Sequence, residues 1–467
     1  MYIKALRLKR TKRIRDLTLR FVSTDGTPRP LTVIIGENGT AKTTILQAIA
    51  LAATGRSQVN VLAGDVVGHL RDRRTSDPLS IDAAFVVPMP AGTGDVAASN
   101  PRMLTSQLWL GSDETVIRGA DEEYEDGAKS DGIMSMGDPV GGTSRLDVVR
   151  SKGERGYFVA AYGVARHLPS PAKTVDLNRP HVDRIQPLFG ASAQLTAFRF
   201  ADYFDDDRAR HFASELARVI ASDLVPGIEG LELRGRGGVK QAGDLMERDR
   251  VHQTFGGTSY KLPAVALAHG YQSTLAWISD VFGHYMLEHG GKPTMAEVRG
   301  LVLVDEIDLY LHPRWQRTLI PALIRTFPNV QFVVTTHSPV VLANVAPASI
   351  VVLGQDPNTG DILATHIDPM TEEVSLVPIA DASTALPDPR VMTGTEVYER
   401  FFGVEGLTLN ERGEKLREYY RVVTDPDHRL HDSAGIATLR SQLESLGVSD
   451  LPLVVSDGTR DTEDGRH

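Results

Sequence analysis

The chain has 467 residues, 41% of them apolar and 24% charged, and carries a net charge of −10. This is the balance of a soluble globular protein of two or three domains, and its acidity offers nucleic acid no global basic field. With no cysteine, disulfides, cysteine-ligated zinc and thiol catalysis are excluded. The absence fits a cytoplasmic protein, as does an N-terminal MYIKALRLKR that lacks a signal-peptide apolar core. No apolar run approaches the length of a membrane span.

Tyr2 to Leu8 alternates apolar and basic residues and predicts a strand, and Leu17 to Val22 predicts another. Between them, residues 9–15 gather Lys9, Arg10, Lys12, Arg13 and Arg15. This cluster reads either as a phosphate or DNA contact or as a solvated β-turn. Leu79 to Val87 is a further strand, and the Gly-, Asp- and Ser-rich residues 111–146 read as a long mobile loop. Tyr157 to Val164 predicts a strand. From about 190 to 225 the period turns helical, with Phe204, Phe212, Leu216 and Ile220 on one face. Residues 235–257 are polar and glycine-rich and read as a hairpin or loop, and Val265 to Met286 reads as a helix interrupted early by Gly270. Leu301 to Val304 and Gln331 to Thr335 are short, largely apolar runs of the kind buried on both faces of a parallel sheet. Between them, Pro313 opens a helix lined by Trp315, Leu319, Leu323 and Phe327. Ile350 to Leu353 predicts one more strand. Beyond about 385 the pattern is helical over Glu396 to Phe402, Asn410 to Val423 and Ile436 to Leu446, and residues 456–467 form a polar tail. No heptad run interrupts the chain, which excludes a long coiled-coil arm.

The stretch LTVIIGENGTAKTT, Leu31 to Thr44, carries the most chemistry. An apolar strand enters a glycine-containing turn, and Lys-Thr-Thr opens a helix. That is the context of a phosphate-binding loop, in which backbone amides of Gly36, Glu37, Asn38, Gly39, Thr40, Ala41, Lys42, Thr43 and Thr44 surround an anion. Lys42 reaches the β- and γ-phosphates, and Thr43 places its hydroxyl on Mg²⁺. The pattern asks for glycine at 41, where this chain has alanine. An alanine there predicts a negative φ. Further on, LVLVDEIDLYLHP ends a buried strand in Asp305 and Glu306. The first carboxylate suits Mg²⁺ and the second suits activation of the attacking water. His337, in VVTTHSP, stands just past the next strand, where it can hydrogen-bond a γ-phosphate and its attacking water.

Taken together, GENGTAKTT (36–44), LAHGYQS (267–273), VDEIDLYLHP (304–313) and TTHSP (335–339) resemble the ABC-type ATPases of the branch that holds RecF, the SMC proteins and the OLD family. YGVAR (162–166) and RIQPLF (184–189) resemble soluble ATPases of this branch found in bacterial phage-defence operons. The resemblance covers about residues 1–370. It implies an α/β P-loop fold with a mixed or parallel sheet core, an N-terminal antiparallel β subdomain and a helical lid at about 190–290. The organisation expected is an ATPase domain over 1–375, a helical docking domain over 376–455 and the tail. ATP and Mg²⁺ are the implied cofactors. Lys42, Glu306 and His337 are the implied catalytic residues, with Thr43 and Asp305 on the metal. Ala268, His269, Gly270 and Gln272 form the signature that acts on the partner's nucleotide, Leu311 and His312 form the D-loop, and Lys12 stands where the family often has an arginine near the nucleotide. The family's Q-loop is sought around Tyr162 to Arg166.

The resemblance implies a homodimer closed on two ATP molecules, possible higher oligomers and no membrane association. Ala268 and His269 remove a hydroxyl that the usual signature offers the γ-phosphate. A hydrogen bond to a charged group contributes about 1.5–3 kcal/mol, so slow hydrolysis is expected. VEGLTLNE (404–411) and LVVSDGTRD (453–461) have a faint likeness to the Toprim nuclease of the OLD family. Asp457, however, is followed by Gly458 and Thr459 rather than by the second aspartate such a site needs. The expected role is therefore a sensor or regulatory subunit of an antiphage system whose nuclease or toxin is a separate chain. The alternatives are a DNA-binding repair ATPase of RecF type and an ATP-dependent assembly scaffold with little turnover.

Overall fold

The computed structural model describes residues 1–87, 102–112, 114–125, 145–151, 156–168, 173–190, 194–220, 224–233, 249–255, 257–367, 373–381, 386–404, 411–424, 433–446 and 448. The chain divides into two compact units, Met1–Met392 and Thr393–His467.

The first unit is built on two sheets. One is antiparallel but for its edge, in the order β16-β2-β1-β4-β5-β6. It contains β1 (Tyr2–Thr11), β2 (Ile14–Arg20), β4 (Leu79–Val87), β5 (Arg102–Leu110), β6 (Arg118–Glu125) and the short β16 (Ile379–Ala380), which runs parallel to β2. The other has the order β15-β14-β13-β3-β12-β11-β7. Its centre is parallel: β13 (Ile350–Gln355), β3 (Leu31–Gly36), β12 (Val330–Thr335), β11 (Gly300–Val304) and β7 (Val159–Tyr162). β14 (Ile362–Ile367) and β15 (Val374–Val377) add an antiparallel edge. Every residue of β3, β11 and β12 is buried, which is why these strands read as largely apolar runs. Helix α1 (Lys42–Thr54) buries every side chain except Thr43. A helix apolar all round belongs between two layers, and α1 packs on strands of both sheets.

Several expectations are corrected. Residues 111–146 are not one loop: β6 pairs antiparallel with β5, and a helix spans Arg145–Ser151. β6 reads RGADEEYE and resembled a loop because it is acidic, but it is an edge strand, where charge is tolerated and blocks further pairing. Residues 126–144 lie outside the described residues. The segment 190–290 is mixed rather than helical. It holds the 3₁₀ turn Ala197–Tyr203, the helix Asp206–Val219, a three-stranded sheet of β8 (Ile228–Leu233), β9 (Asp249–Phe255) and β10 (Thr258–Pro263), and the long helix His269–His289. That helix begins at His269 rather than Val265, so Gly270 sits in its first turn and does not interrupt it. The first unit runs on to Met392 instead of ending near 375, because β15 and β16 complete the two sheets.

The second unit holds the helices Gly394–Phe402, Glu411–Thr424 and Ser433–Ser445. Thr393 and Glu396 form a capping box at the first. The other two share a small core of Tyr419, Val422, Leu439 and Leu443. Glu405, Asp457 and the polar tail lie outside the described residues.

Candidate functional site

Parallel pairing brings the carboxyl ends of β3, β12, β11 and β7 side by side, with Thr335 beside Ile34, Val304 beside Val334 and Val304 beside Tyr162. In open α/β sheets this edge is where ligands bind. The predicted phosphate-binding loop, the Walker loop, leaves β3 at Gly36, whose φ is +151°. A Cβ there would lie 2.6 Å from the Leu353 carbonyl oxygen, so only glycine lets β3 lie this close to β13. Glu37, Asn38 and Gly39 are exposed and Thr40 is buried. The Thr40 hydroxyl donates to the Glu37 carbonyl at 2.8 Å.

Ala41 has φ 62° and ψ 22°. The expected negative φ is therefore incorrect: the loop needs a left-handed turn here, and alanine adopts it at a cost of about 1–2 kcal/mol. Its carbonyl accepts from Ile45 at 3.0 Å, starting the bonding of α1. Lys42 Nζ donates to the Gly36 and Glu37 carbonyls, each at 2.8 Å. Burial lowers the Lys42 pKa, opposed by the charges of Asp305 and Glu306. Thr44 is fully buried, so its side chain faces the core.

A continuous hydrogen-bonded chain joins the motifs. The Thr43 hydroxyl donates to Asp305 Oδ2 at 2.7 Å, and the Thr335 hydroxyl donates to Asp305 Oδ1 at 2.6 Å. The Glu306 amide donates to Thr335 Oγ1 at 2.7 Å. Glu306 itself holds φ +45°, a strained conformation of the sort found at functional positions. The Thr336 hydroxyl donates to Asp308, and the Ser338 amide donates to Thr336 Oγ1 at 3.0 Å. His337, between these two, is half-buried. Burial first, and the Lys42 charge second, hold its pKa below the ordinary histidine value, against Glu306, Asp308 and Asp305. A neutral imidazole there can accept as well as donate a hydrogen bond.

ATP and Mg²⁺ fit these residues. The left-handed turns at Gly39 (φ +87°) and Ala41 lie in the stretch that runs into the amino end of α1, an anion-binding arrangement. A Cβ at Gly39 would meet nothing within 4 Å, so that backbone is open to a ligand. Thr43 and Asp305 offer the hard oxygen pair that Mg²⁺ takes alongside phosphate oxygens. Among the described residues no group of three or more acidic, histidine or cysteine side chains could hold a metal by itself.

The predicted signature and D-loop meet each other in this chain. Ala268 and His269 are exposed at the start of the long helix, and Ala268 gives no side-chain cap. A Cβ on Gly270 would lie 2.4 Å from the Tyr310 carbonyl oxygen, so glycine permits the contact. The His269 and Tyr310 rings meet edge-on at 5.9 Å. Gln272 turns its amide back to the carbonyls of Val265 and Leu267, at 2.9 and 2.6 Å. Leu311 is buried, whereas His312 is exposed and caps the helix Pro313–Thr326, its Nδ1 accepting from the Arg314 amide at 3.2 Å. Ala268, Gly270, Tyr310 and His312 border one open groove of about 600 Å³.

Lys12 sits in the β1–β2 turn with φ +51°. Its amide donates to the Leu70 carbonyl at 2.7 Å, and Thr11 pairs with Arg71. Of the basic cluster, Lys9 and Arg10 belong to β1, and Arg10 pairs with Asp77 at 2.8 Å.

Sequence reasoning missed Arg166, which is 2% exposed and donates to the backbone of both Asp305 and Glu306. It lies inside YGVAR, but an arginine following a strand carries no signal of what it will bind. Thr335 lies in TTHSP, yet its link between two carboxylate residues appears only in three dimensions.

Residues 169–343 match the family described as "AAA domain, putative AbiEii toxin, Type IV TA system", and residues 5–67 match one described as "AAA domain". The chain is 38% identical over 89 residues to "Retron Vc95 probable ATPase" of Vibrio cholerae, covering 19% of this chain and 17% of that protein. It is 22% identical over 358 residues to "Septu protein PtuA" of Bacillus mycoides, covering 75% of this chain and 40% of that protein. The matches thus span less than half the length of these relatives. Among solved structures it is similar to the SMC head domain from Thermotoga maritima, with a TM-score of 0.41 and 16% identity over 78% of this chain and 99% of that one. Among the described residues no helix is long and apolar enough to cross a membrane.

Proposed function

We propose that this chain is an ABC-type ATPase of the branch that holds RecF, the SMC proteins and the OLD family, and that it binds Mg-ATP between two head-to-tail copies and hydrolyses it slowly. The observation that carries this reading is the chain of hydrogen bonds Thr43–Asp305–Thr335–Glu306 beside the Lys42 cradle. In it, Lys42 swings from the loop carbonyls to the β- and γ-phosphates. Thr43 and Asp305 would hold the metal, which would neutralise charge on the phosphates. Glu306 takes a proton from the attacking water, and His337 steadies the γ-phosphate. The partner's Ala268 to Gln272 face the same nucleotide, and Leu311 and His312 line the seam. Gln272 then acts by holding the turn before the helix, since its amide is spent on Val265 and Leu267.

The biological reading is a sensor or regulatory ATPase of an antiphage system with a separate nuclease or toxin. It is supported by similarity to a retron ATPase and a Septu protein. The test is Mg-ATP turnover by the full chain beside Lys42→Ala and Asp305→Asn, each with and without double-stranded DNA. Removing one preorganised charge or donor costs about 10²–10³ in rate, so both variants should fall by that much. Equal turnover in all three proteins would sink the assignment. Strong stimulation by DNA would favour the repair reading over the defence one.

A further inference from the structure

Arg166 is 2% exposed and spends its whole fork on two different functional segments. Nη1 donates to the Asp305 carbonyl at 3.0 Å and Nη2 to the Glu306 carbonyl at 2.8 Å. Nε donates to the Ser273 hydroxyl at 3.2 Å, on the first turns of the His269–His289 helix. A second tie runs from the same strand end to the same helix: the Tyr162 hydroxyl donates to Asp280 Oδ2 at 3.0 Å. Ser273 and Asp280 are seven residues apart, which places them on one face of the helix, two turns from each other. Glu306 is held from both sides, its amide by Thr335 Oγ1 and its carbonyl by Arg166, and it needs this support because its φ is +45°.

We infer that Arg166 is a positioning residue that sets Glu306 according to where the signature helix stands. This rests on the ATP-sandwich reading above. In such a dimer the helix start meets one nucleotide while Glu306 of the same chain acts on the other. A helix drawn toward ATP moves Ser273, Ser273 moves Arg166, and Arg166 moves the backbone that aims the Glu306 carboxylate. The two sites are coupled through one buried guanidinium. Its planar fork matters, because lysine cannot serve both carbonyls and a hydroxyl in fixed geometry.

The test is steady-state hydrolysis against ATP concentration for the full chain, Ser273→Ala and Arg166→Lys, with binding of a fluorescent ATP analogue and thermal melting measured on each. The wild type should show a Hill coefficient above 1, up to about 2 for two sites. Ser273→Ala should bring it to about 1 while analogue affinity stays within about twofold. Arg166→Lys should lower kcat per folded molecule by about 100-fold, the cost of misplacing a reacting group by about 1 Å, with affinity nearly kept and a melting temperature lower by several degrees because buried carbonyls lose their donors. A Hill coefficient unchanged in Ser273→Ala overturns the inference. So does an Arg166→Lys loss that merely follows loss of folded protein. A wild type that hydrolyses with a Hill coefficient of 1 overturns it as well, yet leaves the ATPase reading standing. A wild type without turnover removes both.

Discussion

Replacing Ala41 tests the Walker loop at the point where it departs from the usual pattern. The residue holds φ 62°, which costs an L-amino acid about 1–2 kcal/mol. Ala41→Gly removes that strain. Against it stand about 0.4–1 kcal/mol of added unfolded-chain entropy and the loss of a half-buried methyl packed on the core, about 0.4 kcal/mol at half the value of a fully buried one. The balance is a stabilisation of about 0–1 kcal/mol, a rise in melting temperature of at most a few degrees. Ala41→Val moves the other way, because a β-branched side chain is a steric outlier at positive φ. It should cost more than about 2 kcal/mol and distort the first turn of α1, which starts from the Ala41 carbonyl. Thermal and urea melts of the three proteins, with nucleotide binding on each, provide the assay. A valine variant as stable and as competent in binding as the wild type would refute the left-handed turn and the argument built on it.

Thr335→Val deletes the hydroxyl shared by Asp305 and the Glu306 amide. It should cost about 1.5–3 kcal/mol in urea melts and lower turnover more than it lowers nucleotide affinity. Gly270→Ala places a Cβ 2.4 Å from the Tyr310 carbonyl oxygen. The helix start must retreat, destabilising the protein by about 1–3 kcal/mol and slowing hydrolysis, read by melts and turnover. Gly283→Ala, further along the same helix, meets the Phe200 ring at 2.1 Å and should destabilise to a similar degree. His284 is buried with its pKa held well below the ordinary value, chiefly by burial and further by Arg184 and Lys173. The unfolded chain therefore binds the extra proton, and stability present above the ordinary histidine pKa is lost as pH falls below it. His284→Gln should lose less of its urea midpoint between pH 7 and pH 5 than the wild type does.

Much of the site was legible because its motifs sit at strand ends, where local sequence fixes both the strand and the turn. GENGTAKTT, DE after LVLV and TTHSP each follow an apolar run, and the parallel sheet brings those ends together. What the sequence concealed depends on the third dimension. The sign of φ at Ala41 is imposed by the loop between β3 and α1, whatever alanine prefers. β6 looked like a loop because its charges are those of an edge strand. The sheet inside the 190–290 segment pairs β9 with both β8 and β10, and no short window of sequence reports such partners. Arg166 became visible as a strut only when Ser273, Asp305 and Glu306 were seen around it.

The most direct test of the account is the mass of Glu306→Gln by light scattering, with and without Mg-ATP, beside turnover of the wild type. The account predicts a wild type that hydrolyses ATP and a variant that binds it, does not turn it over and doubles in mass only when ATP is present. A variant that hydrolyses as fast as the wild type, or whose mass ignores ATP, would contradict the proposed role of Glu306 or the nucleotide-bridged dimer, respectively.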